Sequence, residues 1–504
     1  EVDLVFGGGP RVLRLLRMGS FSMARVMRNR GGGSRNVSTN YRRIKQLNQL
    51  VEKLGSLLPI GVLRHARNWV RCTEYWTNSG VDNLREMLLF VGREYADLSV
   101  AAQPPIIHPE DGFYDLLRPC AGRYYESLDG YLRQHPLDPA QPTVLAILYG
   151  GTTMDACVAG SHELLDALSE RANLLPFFAD GIGTAAALHR HLLPDGEPRL
   201  ALDAIVSLQW FRLEGGPLGG DPQVTYDLLR ALDAPLYTPA TSYNRAISLW
   251  EQNPDGVTPV ETLATITLPE LDGAMEPLFL FGLRDLDGTA PKASATRPVP
   301  GRGERLAQRM LRRVELRHKP NAEKKIALVL YNYPPGEGTL GEASFLDVFA
   351  SVERILRRLK DEGYTVELPQ EPIGELLLRQ GLINRGEWTG RALTAQHALR
   401  VPVHEYETWY RQLPAEIRQR TEALFGPPPG DLMNDGQDIF LAGLRLGNVL
   451  LAVQPSRGVH EDPQKIHHDR SLPPHHQYIA FYLSLIPTSE PTRLRRSPDA
   501  VFCL

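Results

Sequence analysis

The chain has 504 residues, 42% of them hydrophobic and 23% charged, with a formal net charge of -4. This is ordinary globular composition with room for roughly two to four domains, and the slight negative charge argues against a nucleic-acid binder. No apolar run approaches the ~18 residues of a membrane span and no signal peptide is visible, so no integral membrane segment is expected.

Four cysteines, Cys72, Cys120, Cys157 and Cys503, are scattered without CxxC spacing. Neither a zinc site nor a disulfide framework follows from that, and a reducing, cytoplasmic setting fits. The first residue is Glu1 rather than methionine, so the chain reads as a piece of something longer.

Residues 1–140 read as mainly helical around a Gly/Arg/Ser-rich stretch, 28–40, that is expected to be a mobile loop. Helix-like apolar spacing runs through 41–58, 63–76 and 81–98, with Trp69, Tyr75 and Trp76 as core anchors. Residues 141–288 read as a first α/β domain. Apolar runs at 144–149, 175–179, 204–208 and 235–238 alternate with helices at 161–172 and 224–232, which predicts a parallel sheet. Ligand crevices in such sheets lie at the strand carboxyl ends, where Gly150-Gly151 and the glycines of 215–220 fall; tight turns are the plainer reading of these glycines. The acids of 268–277, LPELDGAMEP, end this region.

Residues 289–320 read as a linker and a basic helix, with a second α/β domain over 321–485. The run 326–331 is a strand, Ser344 is placed to cap an amphipathic helix whose Val348, Val352, Ile355, Leu356 and Leu359 face inward, and 364–368 is a returning strand. Residues 371–425 look helical, and Gly426-Pro-Pro-Pro-Gly430 is a rigid turn. The glycines Gly336, Gly338 and Gly341 spell GxGxxG, but Asn332-Tyr-Pro-Pro335 separates them from the strand, so no phosphate site is expected there. Residues 486–504 form an atypical tail. The fold class is α/β: multi-domain, parallel-sheet Rossmann-like units with a mainly helical N-terminal region.

The densest chemistry follows the apolar run 448–453. His460, Glu461, Asp462, His467, His468, Asp469, His475 and His476 lie within 17 residues and include five of the 14 histidines. Pro463, Pro473 and Pro474 forbid one continuous helix, so a loop must lead into a helix that starts near Pro473, capped by Ser471. Imidazoles and carboxylates side by side can take protons near neutral pH or ligate a divalent ion. A hydrated polar loop whose histidines cap and salt-bridge is the competing reading.

Three stretches, 331–352 (YNYPPGEGTLGEASFLDVFASV), 268–277 and 447–483 (GNVLLAVQPSRGVHEDPQKIHHD…LPPHHQYIAFYL), together resemble the large porphyrin-binding subunit of the class I tetrapyrrole metal chelatases. That family comprises the large H-type component of magnesium chelatase and the large component of cobaltochelatase, CobN. The resemblance implies Mg²⁺ insertion into protoporphyrin IX, in chlorophyll and bacteriochlorophyll biosynthesis, driven by ATP hydrolysis on separate AAA+ I and D subunits. The alternative is Co²⁺ insertion into a corrin precursor in cobalamin biosynthesis. It also implies roles for residues within the matching motif: Glu461, His460, His467 and His476 as proton acceptors, Glu461 and Asp462 delivering the ion, and His468, His475, Gln454 and Arg457 binding the tetrapyrrole. The family continues for several hundred residues after a further strand, whereas 487–504 do not read as that strand. A truncated copy, or a non-catalytic tetrapyrrole-binding protein, is therefore also expected.

Overall fold

Strand and helix positions follow from burial. Val144–Leu148 has no polar side chain and lies wholly buried, as a central strand must when helices cover both faces of its sheet. The computed structural model describes residues 62–78, 80–117, 124–217, 219–284, 296–332, 346–382, 398–455, 472–489 and 500–503. The expected loop 28–40 and helix 41–58 fall outside them. The chain divides into two units, Glu1–Met310 and Leu311–Leu504.

In the first unit, helices α1 (Val62–Asn78) and α2 (Gly80–Tyr95) match the apolar spacing. Tyr75 is buried against Phe90, but Trp76 is 38% exposed and is not the core anchor that its apolar bulk suggested. Two strands then depart from the helical expectation: β1 (Gly112–Tyr114) and β2 (Tyr124–Tyr125), followed by helix α3 (Leu128–Gln134). They are too short to leave a period-two pattern, yet β1 pairs antiparallel with a strand of the central sheet and extends its edge.

That sheet contains β3 (Thr143–Tyr149), β4 (Asn173–Ala179), β5 (Ala204–Ser207) and β6 (Leu236–Tyr237), in the order β2-β1-β4-β3-β5-β6. The β4-β3-β5-β6 part is parallel. Helices α4 (Met154–Ser169), α5 (Thr184–Leu192) and α6 (Pro222–Leu232) connect the strands. A smaller sheet, β7 (Thr241–Ala246), β8 (Phe281–Leu283) and β9 (Thr296–Pro298), packs against α4. Gly160 allows that approach, because a Cβ there would lie 2.6 Å from the Phe281 ring. The stretch expected to be a linker thus contains β9, and the basic helix α7 runs over Arg302–His318.

The second unit holds β10 (Ile326–Leu330), flanked in parallel by β14 (Val449–Val453) and β15 (Ala500–Cys503), with β13 (Gly443–Leu446) antiparallel to β14. Alternation along β10 sends Ile326, Leu328 and Leu330 into a core with Val352, Leu356 and Leu377, and Ala327 and Val329 into another with Tyr406, Ala480 and Phe481. The sheet is covered on both faces. The atypical tail therefore supplies a sheet strand, 500–503.

Helix α8 (Val348–Asp361) is capped by Asp347, whose carboxylate accepts the Ala350 N–H at 3.0 Å; Ser344 lies outside the described residues. Residues 364–368 are not a returning strand. Val366 makes only a single bridge to Gly447, because the β13–β14 hairpin already occupies that edge. Region 371–425, expected to be helical, contains α9 (Ile373–Arg379), α10 (Val403–Tyr410) and α11 (Ala415–Phe425), but also strand β11 (Leu399–Pro402), paired with β12 (Asp438–Leu441).

Candidate functional site

The glycine turns of the first unit close on the protein itself. At the carboxyl ends of β3 and β5, where strand order reverses, buried Gln209 donates to the carbonyls of Leu148 (2.9 Å) and Ala179 (3.1 Å) and accepts from the Thr184 hydroxyl at 2.8 Å. The Trp210 N–H donates to the Tyr149 hydroxyl at 2.7 Å. Gly216, at φ 50°, abuts the turn 181–182, and a Cβ would sit 2.3 Å from the Gly181 carbonyl oxygen. These are tight turns, as the plainer reading held. In the acidic motif, Asp272 pairs with Arg212 through the guanidinium Nε at 2.7 Å and accepts the Leu213 N–H at 3.0 Å, while Glu276 meets Arg309 at 2.8 Å.

The second unit presents a different picture at its strand ends. Leu330 and Val453 are register partners, so β10 and β14 finish side by side. The two motif-bearing segments, 333–345 and 456–471, follow directly from these ends, after Asn332 and Pro455. Both segments lie outside the described residues, and with them Gly336, Gly338, Gly341, Arg457, His460, Glu461, Asp462, His467 and His468. Gln454, His475 and His476 are described.

The structure brings those three to one place. Helix α12 (His476–Ser489) starts beside the strand ends, three residues later than Pro473. His475 caps it: Nδ1 accepts the Tyr478 N–H at 3.3 Å and the carbonyl accepts the Ile479 N–H at 3.1 Å, while Ser471 lies outside the described residues. Gln454 donates its backbone N–H to Leu330 (2.9 Å) and its side-chain amide to the Tyr478 hydroxyl (3.1 Å), which ties the end of β14 to the first turn of α12.

His476 is 2% exposed and both its ring nitrogens are engaged. Nε2 lies 2.9 Å from the Gly426 carbonyl and Nδ1 2.6 Å from the Tyr406 hydroxyl. Burial holds its pKa below the ordinary 6.5, against the raising influence of the Gly426 carbonyl and Glu422. Burial also raises the Tyr406 hydroxyl and pushes Tyr410 up to about 12. The next residue, Gln477, donates to the Phe440 carbonyl at 2.8 Å, leaving its buried Oε1 without a hydrogen bond among the described residues. Among the described residues, no group of three or more His, Cys, Asp or Glu is placed to hold a metal ion.

Sequence reasoning missed Tyr406, Gln477 and Tyr478. Tyr406 precedes His476 by 70 residues and gives no local signal. The turn 426–430 was legible as rigid, but its part in seating His476 was not.

A family model for CobN/Magnesium Chelatase matches residues 73–486. The chain belongs to that family. Members similar to it include the magnesium-chelatase H subunit of Rhodobacter capsulatus, 29% identical over 94% of this chain and 40% of that protein. The aerobic cobaltochelatase protein CobN of Pseudomonas aeruginosa is 36% identical over 47% of this chain and 19% of its own length. The solved catalytic subunit of cobaltochelatase from Mycobacterium tuberculosis superimposes with a TM-score of 0.60 and 27% identity, covering 87% of this chain and 35% of that one. The chain spans less than half the length of each of these relatives. Among the described residues, no helix is long and apolar enough to cross a membrane.

Proposed function

We propose that this chain is part of the large subunit of a metal chelatase that inserts Mg²⁺ into protoporphyrin IX, working with AAA+ I and D subunits that hydrolyse ATP. Family membership over 73–486 carries the reading. It is supported by the side-by-side ends of β10 and β14, since ligands of open α/β sheets bind outside strand carboxyl ends. Two pyrrole N–H protons must leave as the ion enters, so bases are needed beside the macrocycle. Glu461, His460 and His467 supply them. Mg²⁺ is hard and strongly hydrated and exchanges its water for oxygen ligands first, which Glu461 and Asp462 offer. His468, Gln454 and Arg457 contact the tetrapyrrole; His475, 1% exposed with Nδ1 taken by the Tyr478 N–H, caps α12 instead.

Cobalt insertion into a corrin precursor is the second reading, favoured by the 36% identity to the Pseudomonas protein over 244 residues and by the acceptance of imidazole by Co²⁺. Absorbance and fluorescence titration with protoporphyrin IX, with and without the ATPase subunits, tests both readings under Mg²⁺ or Co²⁺. Insertion of Mg²⁺ supports the first; cobalt-only insertion supports the second; binding without insertion assigns the chain a non-catalytic role.

A further inference from the structure

We propose that Tyr406 is a positioning residue of this site, and that His476, which it holds, is a neutral pin rather than a proton acceptor or metal ligand. The inference deepens the chelatase reading and rests on it. The Gly426 carbonyl can only accept, so the Nε2 that lies 2.9 Å away must carry a hydrogen. Tyr406 is 0% exposed, and its hydroxyl hydrogen needs an acceptor away from water. His476 Nδ1, at 2.6 Å, is that acceptor. The two constraints select one state, the neutral Nε2–H tautomer. Protonating Nδ1 would strand the tyrosine hydrogen, and ligating a metal there would displace the same hydroxyl.

The ring is also enclosed. Tyr406 and Tyr410 stand at steep angles to it with centroids 5.7 and 5.1 Å away. On the turn 426–430, a Cβ at Gly430 would lie 2.8 Å from its Cδ2. The titratable groups that act on it are Tyr406 and Tyr410 on α10 and Glu422 on α11.

Three ties then fix the start of α12. His476 joins it to α10 and the turn 426–430, Gln477 joins it to β12 through the Phe440 carbonyl, and Tyr478 joins it to the end of β14 through Gln454. Tyr406 thereby helps hold the first turn of α12 beside the ends of β10 and β14, without itself touching substrate.

The test uses the full chain labelled with ¹⁵N-histidine, with His476→Gln supplying the assignment. The expected spectrum shows pyridine-type Nδ1 and pyrrole-type Nε2 for His476, unchanged from pH 8 down to about pH 6.5, the ordinary imidazole value. An imidazolium signal or a protonated Nδ1 at neutral pH overturns the proposal.

Insertion kinetics with the ATPase subunits, protoporphyrin IX and Mg²⁺ form the second arm. Tyr406→Phe keeps the ring and should lower kcat about tenfold, short of the ~10²-fold that a 1 Å misplacement can cost, with the dissociation constant for protoporphyrin IX unchanged. His476→Gln retains an N–H for the Gly426 carbonyl and should keep kcat within about fivefold of wild type, the size of one exchanged neutral hydrogen bond. A folded, porphyrin-bound His476→Gln without turnover would make His476 a base or ligand and overturn the proposal. So would an unchanged kcat and tautomer in Tyr406→Phe. If the wild-type chain inserts neither Mg²⁺ nor Co²⁺, the chelatase reading fails, while the ¹⁵N spectrum still decides the state of His476.

Discussion

The Tyr406 hydroxyl lies 2.6 Å from Nδ1 of His476, joining helices whose partners are 70 residues apart in the chain. A histidine drawn from the most chemically dense segment of the sequence is thereby buried and saturated by protein groups. Its titration then belongs to stability.

Stability of the second unit should fall as pH drops below about 6.5. Burial depresses the folded pKa of His476 from 6.5, so the unfolded chain binds the proton more readily. The contribution is complete above 6.5 and is lost progressively as pH falls toward the folded value. His108, also depressed by burial, acts in the same window in the first unit. Urea midpoints measured across this range should decline less steeply for His476→Gln; an unchanged slope would assign the dependence to other groups.

Gly430 should tolerate a methyl group poorly. It sits at φ +71°, and a Cβ would lie 2.8 Å from His476 Cδ2 and 3.1 Å from the Phe425 carbonyl oxygen. Gly430→Ala should cost about 3 kcal/mol, from left-handed strain plus overpacking. Gly363, at φ +83° with nothing within 4 Å of a Cβ, carries the strain alone, and Gly363→Ala should cost about 1–2 kcal/mol. Equal costs in thermal melts would show that the ring is not seated against this turn.

Asp272 and Arg212 should behave as one unit. The aspartate side chain is 1% exposed and the arginine 12%, so removing either leaves a buried charge without its partner. Asp272→Asn should cost about 3 kcal/mol, and the double variant with Arg212→Met should cost less than the sum of the singles. Additive losses in denaturant titrations would count against a coupled pair.

Glu461→Gln should leave protoporphyrin IX binding nearly unchanged while cutting metal insertion by ~10²-fold or more, the usual size of a lost general base. His467→Ala should act on the same step, with a smaller effect if several imidazoles share the work. Single-turnover insertion kinetics alongside a thermal melt separate this from misfolding. Full activity in Glu461→Gln would remove this segment from the mechanism.

Much of the fold was legible because burial leaves a local signature. The runs 144–149, 175–179 and 326–330 are strands because their residues are apolar throughout, and α8 carries its stripe Val348, Val352, Leu356 at helical spacing. Short or edge elements were not legible. Gly112–Tyr114 is a strand because β4 offers it an edge, and 364–368 is not one because β13 has taken the edge it would need.

The same division holds at the candidate site. Sequence alone placed a cluster of imidazoles and carboxylates after a buried strand and a rigid Gly-Pro-Pro-Pro-Gly turn before it, since residue type and spacing are properties of neighbours along the chain. Tertiary structure decided that this turn and Tyr406 close around His476, that His475 caps α12, and that Gln454 reaches Tyr478. Which nitrogen of His476 carries its proton is fixed by a carbonyl 50 residues upstream and a hydroxyl 70 residues upstream. Groups so distant meet only when packing of the sheet has brought α10, α11 and α12 together, and no pattern within a single segment encodes that meeting.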